Sequence, residues 1–389
     1  MTIILNDETS HQYLLPLTYT KPASELRIGI LTIREKWEKM IEGEYSWKTV
    51  DYLSKKYSTS TNPDALIINA SVCPNENLVE AISNLKNGEV LQDGELLIAQ
   101  KGNKEEGRFS KDFAIVQFNG EYNNIDRSWK IFSQNAEELE TDFDLVTKGR
   151  TSATISKTNT LIGDRIFLEE GAQAECAIFN STSGAIYLGK DSLVMEGSVV
   201  RGGLALCEHS QLKLGTKIYG ATTVGPHSKV GGEVNNSVIT GFSNKGHDGF
   251  LGNSVIGEWC NLGADTNNSN LKNNYDEVKL WSYTKGGFER TGLQFCGLVM
   301  GDHSKCGINT MFNTGTVVGV SSNIFGSGFP RNFIPSFSWG GAAGFSNYNF
   351  EKAMKTAALV FARRGVELDQ IEKDILENVF ELSSDYRQK

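Results

Sequence analysis

The stretch LGKDSLVMEGSVVRGGLALCEHSQLKLGTKIYGATTVGPHSKV, residues 188 to 230, decides the fold. Every sixth residue in it is aliphatic: Leu188, Val194, Val200, Leu206, Leu212, Ile218, Val224 and Val230. The positions between are mostly polar or Gly. A helix repeats its apolar face every 3.6 residues and a half-buried strand every second residue, so neither explains the pattern. A strict period of six reads as a β-solenoid. Each hexapeptide is one flat side of a prism and sends its aliphatic residue into the stack. A three-sided coil takes about 18 residues and climbs about 4.8 Å, the spacing of paired strands.

The period extends in both directions with changes of phase. Ile162 and Leu168 precede it. After Val230 the phase slips by two, and Val238, Phe250, Ile256 and Leu262 continue. The segment from Asn267 to Cys296 interrupts the repeat. Met300, Cys306, Phe312, Val318 and Ile324 resume it. Gly follows the inward residue at several coils, as at Gly189, Gly225 and Gly263, where it relieves crowding at a corner.

On either side of the solenoid, expected over residues 151–340, the chain changes character. Residues 1–150 read as an α/β domain. Strands are expected at Thr2 to Leu5, Asp64 to Ala70, Leu96 to Lys101 and Phe113 to Phe118. Helices are expected at Ile30 to Ile41, Trp47 to Tyr57, Asn75 to Lys86 and Asp126 to Leu139. Alternating strands and helices suggest a parallel or mixed sheet with helices packed on it. Residues 341–389 form a helical tail: Asn347 to Arg363 and Val366 to Leu382 carry helical apolar spacing, with Arg363-Arg364-Gly365 as the break. These helices are expected to pack on the solenoid or on a neighbouring subunit.

The 389 residues are 39% hydrophobic, enough for sizeable cores in two domains, and carry a net charge of −9. That charge argues against a general nucleic-acid binder, which needs clustered Lys and Arg. An anionic small substrate stays compatible, since a local basic pocket can sit on an acidic protein. Six scattered Cys without a CxxC pair fit a reduced, cytoplasmic protein rather than a disulfide framework or zinc site. No apolar run of about 20 residues offers a membrane span.

Five His residues are the first candidates for chemistry. His209, His227 and His303 each lie three positions after an inward residue, a place that reads as a solvated corner. His11 lies in a polar turn. His247 differs in context. It sits in Ser243-Asn244-Lys245-Gly246-His247-Asp248-Gly249, where Asn244 stands at the expected inward place and two Gly flank a His-Asp pair.

Gly246-His247, Phe250-Leu251-Gly252-Asn253, Ile256-Gly257, Asn261-Leu262-Gly263-Ala264-Asp265-Thr266 and Asn270 follow one another in an order and spacing that resemble a known family. The family is the N-acetylglucosamine-1-phosphate uridylyltransferase/glucosamine-1-phosphate acetyltransferases and their archaeal relatives. The resemblance covers the solenoid well and the first domain faintly. It implies a left-handed β-helix that transfers an acetyl group from acetyl-CoA to an amino-sugar 1-phosphate. His247 matches the general base, and an imidazole titrates near working pH. Asn261 and Asn270 match residues that hold the sugar. Phe250 replaces a Tyr, which removes one hydroxyl contact. Ala264 matches the residue facing the thioester, and Asp265 replaces a Gly beside it. The family's phosphate-clamping Lys and Arg fall at Tyr219 and residues 231–235, where no cation stands. Lys245, Lys272 or Arg201 are the substitutes. Arg331, where the coil ends, either meets a CoA phosphate or caps the prism. The interruption before Cys296 matches a projecting loop that reaches a neighbouring subunit, or is a plain surface insertion. Prisms of this class imply a homotrimer.

The run Leu15-Pro16-Leu17-Thr18-Tyr19-Thr20-Lys21-Pro22 resembles the PLTxT[RK]P stretch of sugar nucleotidyltransferases. Their Gly-rich phosphate loop is replaced by Leu5-Asn6-Asp7-Glu8-Thr9-Ser10, with no Gly and two acids. If the resemblance extends to activity, Lys21 and Arg27 contact nucleotide phosphates and Asp7 is a ligand for Mg²⁺, with UTP or dTTP and a sugar 1-phosphate as substrates. The acetyl step would need no metal. Two other readings stand beside this one: a nucleotidyltransferase whose solenoid only oligomerises, and a non-catalytic sugar-nucleotide-binding protein.

Overall fold

The computed structural model describes residues 1–387. Its contacts group into two compact units. The first comprises residues 1–26 and 31–127, and the second residues 27–30 with 128 onward. The division at Arg127 lies ahead of the composition change near residue 150. The reason is local. The helices Ser128–Ser133 and Asn135–Thr147 pack on the solenoid, where the buried Asn135 amide donates to the Ala221 carbonyl at 3.0 Å. The 27–30 segment joins them, with the Asp142 carboxylate accepting from Ile30 N–H and Thr223 Oγ1 donating to the Gly29 carbonyl.

The first unit is built on a six-stranded mixed sheet, in the order Glu44–Lys48, Thr2–Asn6, Leu66–Asn69, Leu96–Lys101, Glu89–Asp93, Ala114–Gln117. The strands at Glu44–Lys48 and Leu66–Asn69 both run parallel to Thr2–Asn6, and the Leu96–Lys101 strand is antiparallel to both its neighbours. Helix Ile33–Met40 is opened by a capping box between Thr32 and Glu35 and buries Trp37. The helix expected at Trp47 to Tyr57 is instead the end of an edge strand followed by a short 3-10 turn, Asp51–Leu53. Tyr45 and Trp47 alternate with polar residues, and strand pairing to Thr2–Asn6 decides the outcome.

The second unit is a parallel β-solenoid of about 10 turns. One face has nine strands, from Ile166–Leu168 to Phe333–Ile334. A second face has ten, from Gln173–Ala174 through Asn244–Lys245 and Asn261–Leu262 to Gly344–Asn347. A third has six, from Thr160–Ile162 to Phe250–Gly252. All eight residues from Leu188 to Val230 that share the six-residue period lie in one continuous buried core. The resumption from Met300 to Ile324 lies there too.

Past Val230 the phase differs from the one expected from the sequence. Val230 pairs with Lys245 and Val234 with Leu251, so the inward residues are Lys245, Leu251 and Ile239 rather than Asn244, Phe250 and Val238. At the start, Leu161 rather than Ile162 pairs with the core residue Phe179. The interruption contains an antiparallel hairpin, Lys279–Ser282 with Gly287–Arg290.

One corner of the prism is a column of rings. His209, His227, Phe242, Trp259 and His303 all have positive φ, between 51° and 64°. Successive rings from His209 to Trp259 stack at 4.8, 4.9 and 4.3 Å. His303 is 7% exposed, so it is not the solvated corner expected. The tail helices Phe350–Ala362 and Gln370–Leu382 carry Asn and Asp N-caps. The first docks on the ring column: Phe361 stacks on Trp259 and clusters with Ala357 and Leu368. Among the described residues, no helix is long and apolar enough to cross a membrane.

Candidate functional site

His247 lies at the turn between the Asn244–Lys245 strand of the second face and the Phe250–Gly252 strand of the third. The turn is held from inside. The buried Lys245 ammonium donates to the carbonyls of Gly231 and His247, each at 2.9 Å. Burial pushes this lysine down to about 8. Lys245 is therefore a support for the His247 backbone and not the substrate contact expected. A lysine can occupy an inward position here because two carbonyls meet its charge.

The exposed imidazole opens on a cavity of about 650 Å³ lying over the second face. Asn244 and Asn261 line it beside His247, with Asn244 Nδ2 donating to Asn261 Oδ1 at 3.0 Å. The ring column supplies Phe242 and Trp259. Lys213, Lys229 and Lys305 come from the solenoid, and Arg363 and Arg364 from the end of the tail helix. No Asp or Glu lines this cavity among the described residues.

Of the expected site residues, Asn261 alone joins His247. Asn270 and Phe250 lie together above Gly252 on the third face, and the Asn270 amide donates to Asn253 at 2.8 Å. Lys272 turns into the projecting segment and donates to the Glu277 carbonyl. The Ala264 carbonyl accepts from Asn309 N–H, and Asp265 takes the corner with φ +59°, its N–H on the Asp248 carbonyl. Arg331 lies at a different cavity, of about 600 Å³, with Trp281, Phe288, Phe333 and Tyr386. Its guanidinium sits over Phe345.

None of the cavity's five Lys and Arg residues was among the expected site residues, although part of the signal was there. The residue preceding each inward position on the second face points outward. In register these are Gln211, Lys229, Asn244, Asn261 and Lys305, a continuous polar row. Placing Asn244 inward broke that row. Arg363 and Arg364 reach it only through tertiary packing.

The expected nucleotide site in the first unit does not assemble. Asp7 is fully buried, its carboxylate accepts from Ala23 N–H at 2.8 Å, and burial raises it to about 7. The neighbouring amides face internal acceptors: Asp7 N–H the Lys48 carbonyl, Glu8 N–H the Asn6 side chain, His11 N–H the Asp7 carbonyl. Glu8 pairs with Arg108 and Lys48. Lys21 is buried. Arg27 falls in the second unit and donates to the Ile30 carbonyl. Among the described residues no group of three His, Cys, Asp or Glu is placed to hold a metal ion. A buried, half-neutral Asp7 does not fit Mg²⁺, which wants ionised and accessible oxygens.

The architecture is that of a two-part protein in which a hexapeptide-repeat solenoid follows an α/β unit of the sugar nucleotidyl transferase type. Residues 3–151 match the family described as sugar nucleotidyl transferase. Over 268 residues the chain is 26% identical to the bifunctional protein GlmU of Methanococcus aeolicus, covering 67% of this chain and 56% of that protein. It is 28% identical to GlmU of Methanococcus vannielii over 291 residues, 73% of this chain and 62% of the relative. It is 34% identical to a bifunctional sugar-1-phosphate nucleotidylyltransferase/acetyltransferase of Sulfurisphaera tokodaii over 93 residues, 24% and 23% of the two chains. These matches make the chain similar to the GlmU proteins over part of its length. It spans less than two thirds of the length of these relatives.

Proposed function

We propose that the solenoid transfers an acyl group, acetyl from acetyl-CoA, to the amino group of an amino-sugar 1-phosphate. The observation that carries this is His247, which opens on a cavity also lined by Asn244, Asn261 and a set of cations. In this reading the neutral amine attacks the thioester carbonyl carbon and His247 takes the proton that the nitrogen sheds. The C–S bond then breaks, and the proton passes to sulfur to leave an amide and a free thiol. The asparagine pair orients the sugar. The name of the Sulfurisphaera tokodaii relative, a bifunctional sugar-1-phosphate nucleotidylyltransferase/acetyltransferase, supports sugar-phosphate chemistry in general, and the reading also carries a homotrimer, checked by sedimentation. Thiol release from acetyl-CoA with glucosamine 1-phosphate tests it. His247→Ala should lower the rate by about 10² to 10⁴. An unchanged rate removes the proposed base.

The second reading, nucleotidyl transfer by the first unit, is favoured by the family match over residues 3–151. The buried Asp7 and the occupied amides around it stand against it. Pyrophosphate release from UTP or dTTP with a sugar 1-phosphate tests it; silence with both leaves the unit a scaffold.

A further inference from the structure

The cavity beside His247 gathers more positive charge than any catalytic base requires. Lys213 and Lys229 come from successive coils of the solenoid's second face, and Arg363 and Arg364 come from the tail. The tail's position is fixed by packing, since Phe361 is 4% exposed and lies 4.1 Å from the Trp259 ring. Burial, then Arg364, Lys213 and Arg363, hold Lys229 below the ordinary lysine range. Burial and Arg363 do the same to Arg364. No carboxylate contributes to either effect. Like charges drawn together and partly withdrawn from water repel, and a multivalent anion is what offsets them.

The third face carries a cavity of about 740 Å³ lined by Arg201 and Lys217, but Glu233 lines it as well. Tyr219 Oη donates to Glu233 Oε1 at 2.5 Å, so a carboxylate occupies the region where a clamp on that face would stand.

We propose that the groove between the second face and the tail helix is a phosphate-binding site, closed in cis by Arg363 and Arg364 opposite Lys213 and Lys229. It seats a phosphorylated ligand with the phosphate toward the arginines and the uncharged end toward His247. The phosphate belongs either to a sugar phosphate or to coenzyme A; the recognising chemistry is the same. The site rests on geometry and charge and does not depend on acyl transfer, because binding is read without turnover.

The test is calorimetric titration of the full chain with glucosamine 1-phosphate, coenzyme A, 3′-dephospho-coenzyme A and inorganic pyrophosphate. At least one should bind, and binding should weaken as salt is raised. Arg363→Gln/Arg364→Gln should weaken it by about tenfold or more per arginine. Lys229→Gln should weaken it on the solenoid side, without touching the tail. Lys217→Gln, on the third face, should leave it unchanged. Loss of the sugar phosphate alone assigns the phosphate to the sugar. A parallel loss of coenzyme A, relieved in the dephospho form, assigns it to the coenzyme. No binding by any probe to the wild type overturns the proposal. So does unaltered affinity in both groove variants, or a loss confined to Lys217→Gln. An acyl-transfer failure with these affinities intact would strike the catalytic reading alone.

Discussion

Phe361 stacks on Trp259 with ring centroids 4.1 Å apart and planes inclined by 23°. Trp259 belongs to the column of rings at one corner of the solenoid, so the tail is docked on a surface that several coils build together. Arg363 and Arg364 follow Phe361 after a single residue, Ala362, and the same contact sets where their guanidinium groups fall.

Removing that ring should free the tail without unwinding the coils. Phe361→Ala is expected to weaken docking by about 3 to 5 kcal/mol, the usual cost of truncating a buried Phe. Trypsin cuts after Arg, so cleavage at Arg363 and Arg364 should accelerate by about a hundredfold or more, while the main thermal transition of the solenoid moves little. Equal loss in both measurements would mean that tail and coils unfold as one.

The two glycines beside His247 should respond differently. Gly249 has φ +118°, and a Cβ there would meet the Thr266 carbonyl oxygen at 2.1 Å. Gly249→Ala should destabilise by about 3 kcal/mol, combining strain with a backbone clash. Gly246 has an ordinary φ, and its closest obstacle is the tip of the Asn244 side chain at 2.9 Å, which can swing aside. Gly246→Ala should cost less than about 1 kcal/mol. Urea unfolding of both variants gives the comparison.

Lys245 should leave a mark on stability at alkaline pH. Its ammonium loses its proton near 8 in the folded chain and near 10.5 when unfolded. Between those values the unfolded chain binds more protons, so stability rises with pH from about 8 to about 10.5. The gain is at most about 3.5 kcal/mol, since a tenfold change in proton affinity is worth about 1.4 kcal/mol. Lys245→Met should remove that slope. It also strips the Gly231 and His247 carbonyls of their donor, so turnover should fall even though His247 is intact. Urea midpoints at pH 7.5 and 10 for the two proteins, with rates beside them, check both parts.

Asp7 and His11 should pull in opposite directions. Burial raises Asp7 from 3.8 to about 7, so the folded unit binds the extra proton and stability falls as pH climbs through that window. Burial lowers His11 from 6.5 to about 4, so stability falls as pH drops through that window. The windows overlap and the slopes largely cancel between pH 4 and 6.5. Asp7→Asn should expose a stability that rises with pH there, and His11→Gln one that falls. Guanidinium unfolding of each variant at pH 4.5 and 6.5 decides it; two flat profiles would refute both burial effects.

The six-residue period was legible because each inward aliphatic needs only the coil above and below it. Its phase past Val230 was not, and the cause is specific. Leu212 pairs with Val230, 18 residues on (230 − 212), but Val230 pairs with Lys245, 15 residues on (245 − 230). A shortened coil whose inward residue is a lysine gives no hydrophobic signal. His247 and Asn261 were recoverable because they stand in one continuous motif. The groove cations were not, because Lys229 gains meaning only from its register with Asn244, and Arg363 and Arg364 only from a ring contact with Trp259. The likeness of residues 3–151 to sugar nucleotidyl transferases reached the family but not the buried state of Asp7, which depends on Ala23 folding across it.

Arg363 follows His247 by 116 positions (363 − 247), so the two sides of the groove leave the ribosome at different times. The spiral can stack coil by coil as it emerges, whereas its flank waits for the helix Phe350–Ala362 to double back along finished turns. A message cut short between the two would yield finished coils with one side of the groove open, so competence waits on the segment that carries Arg363 and Arg364.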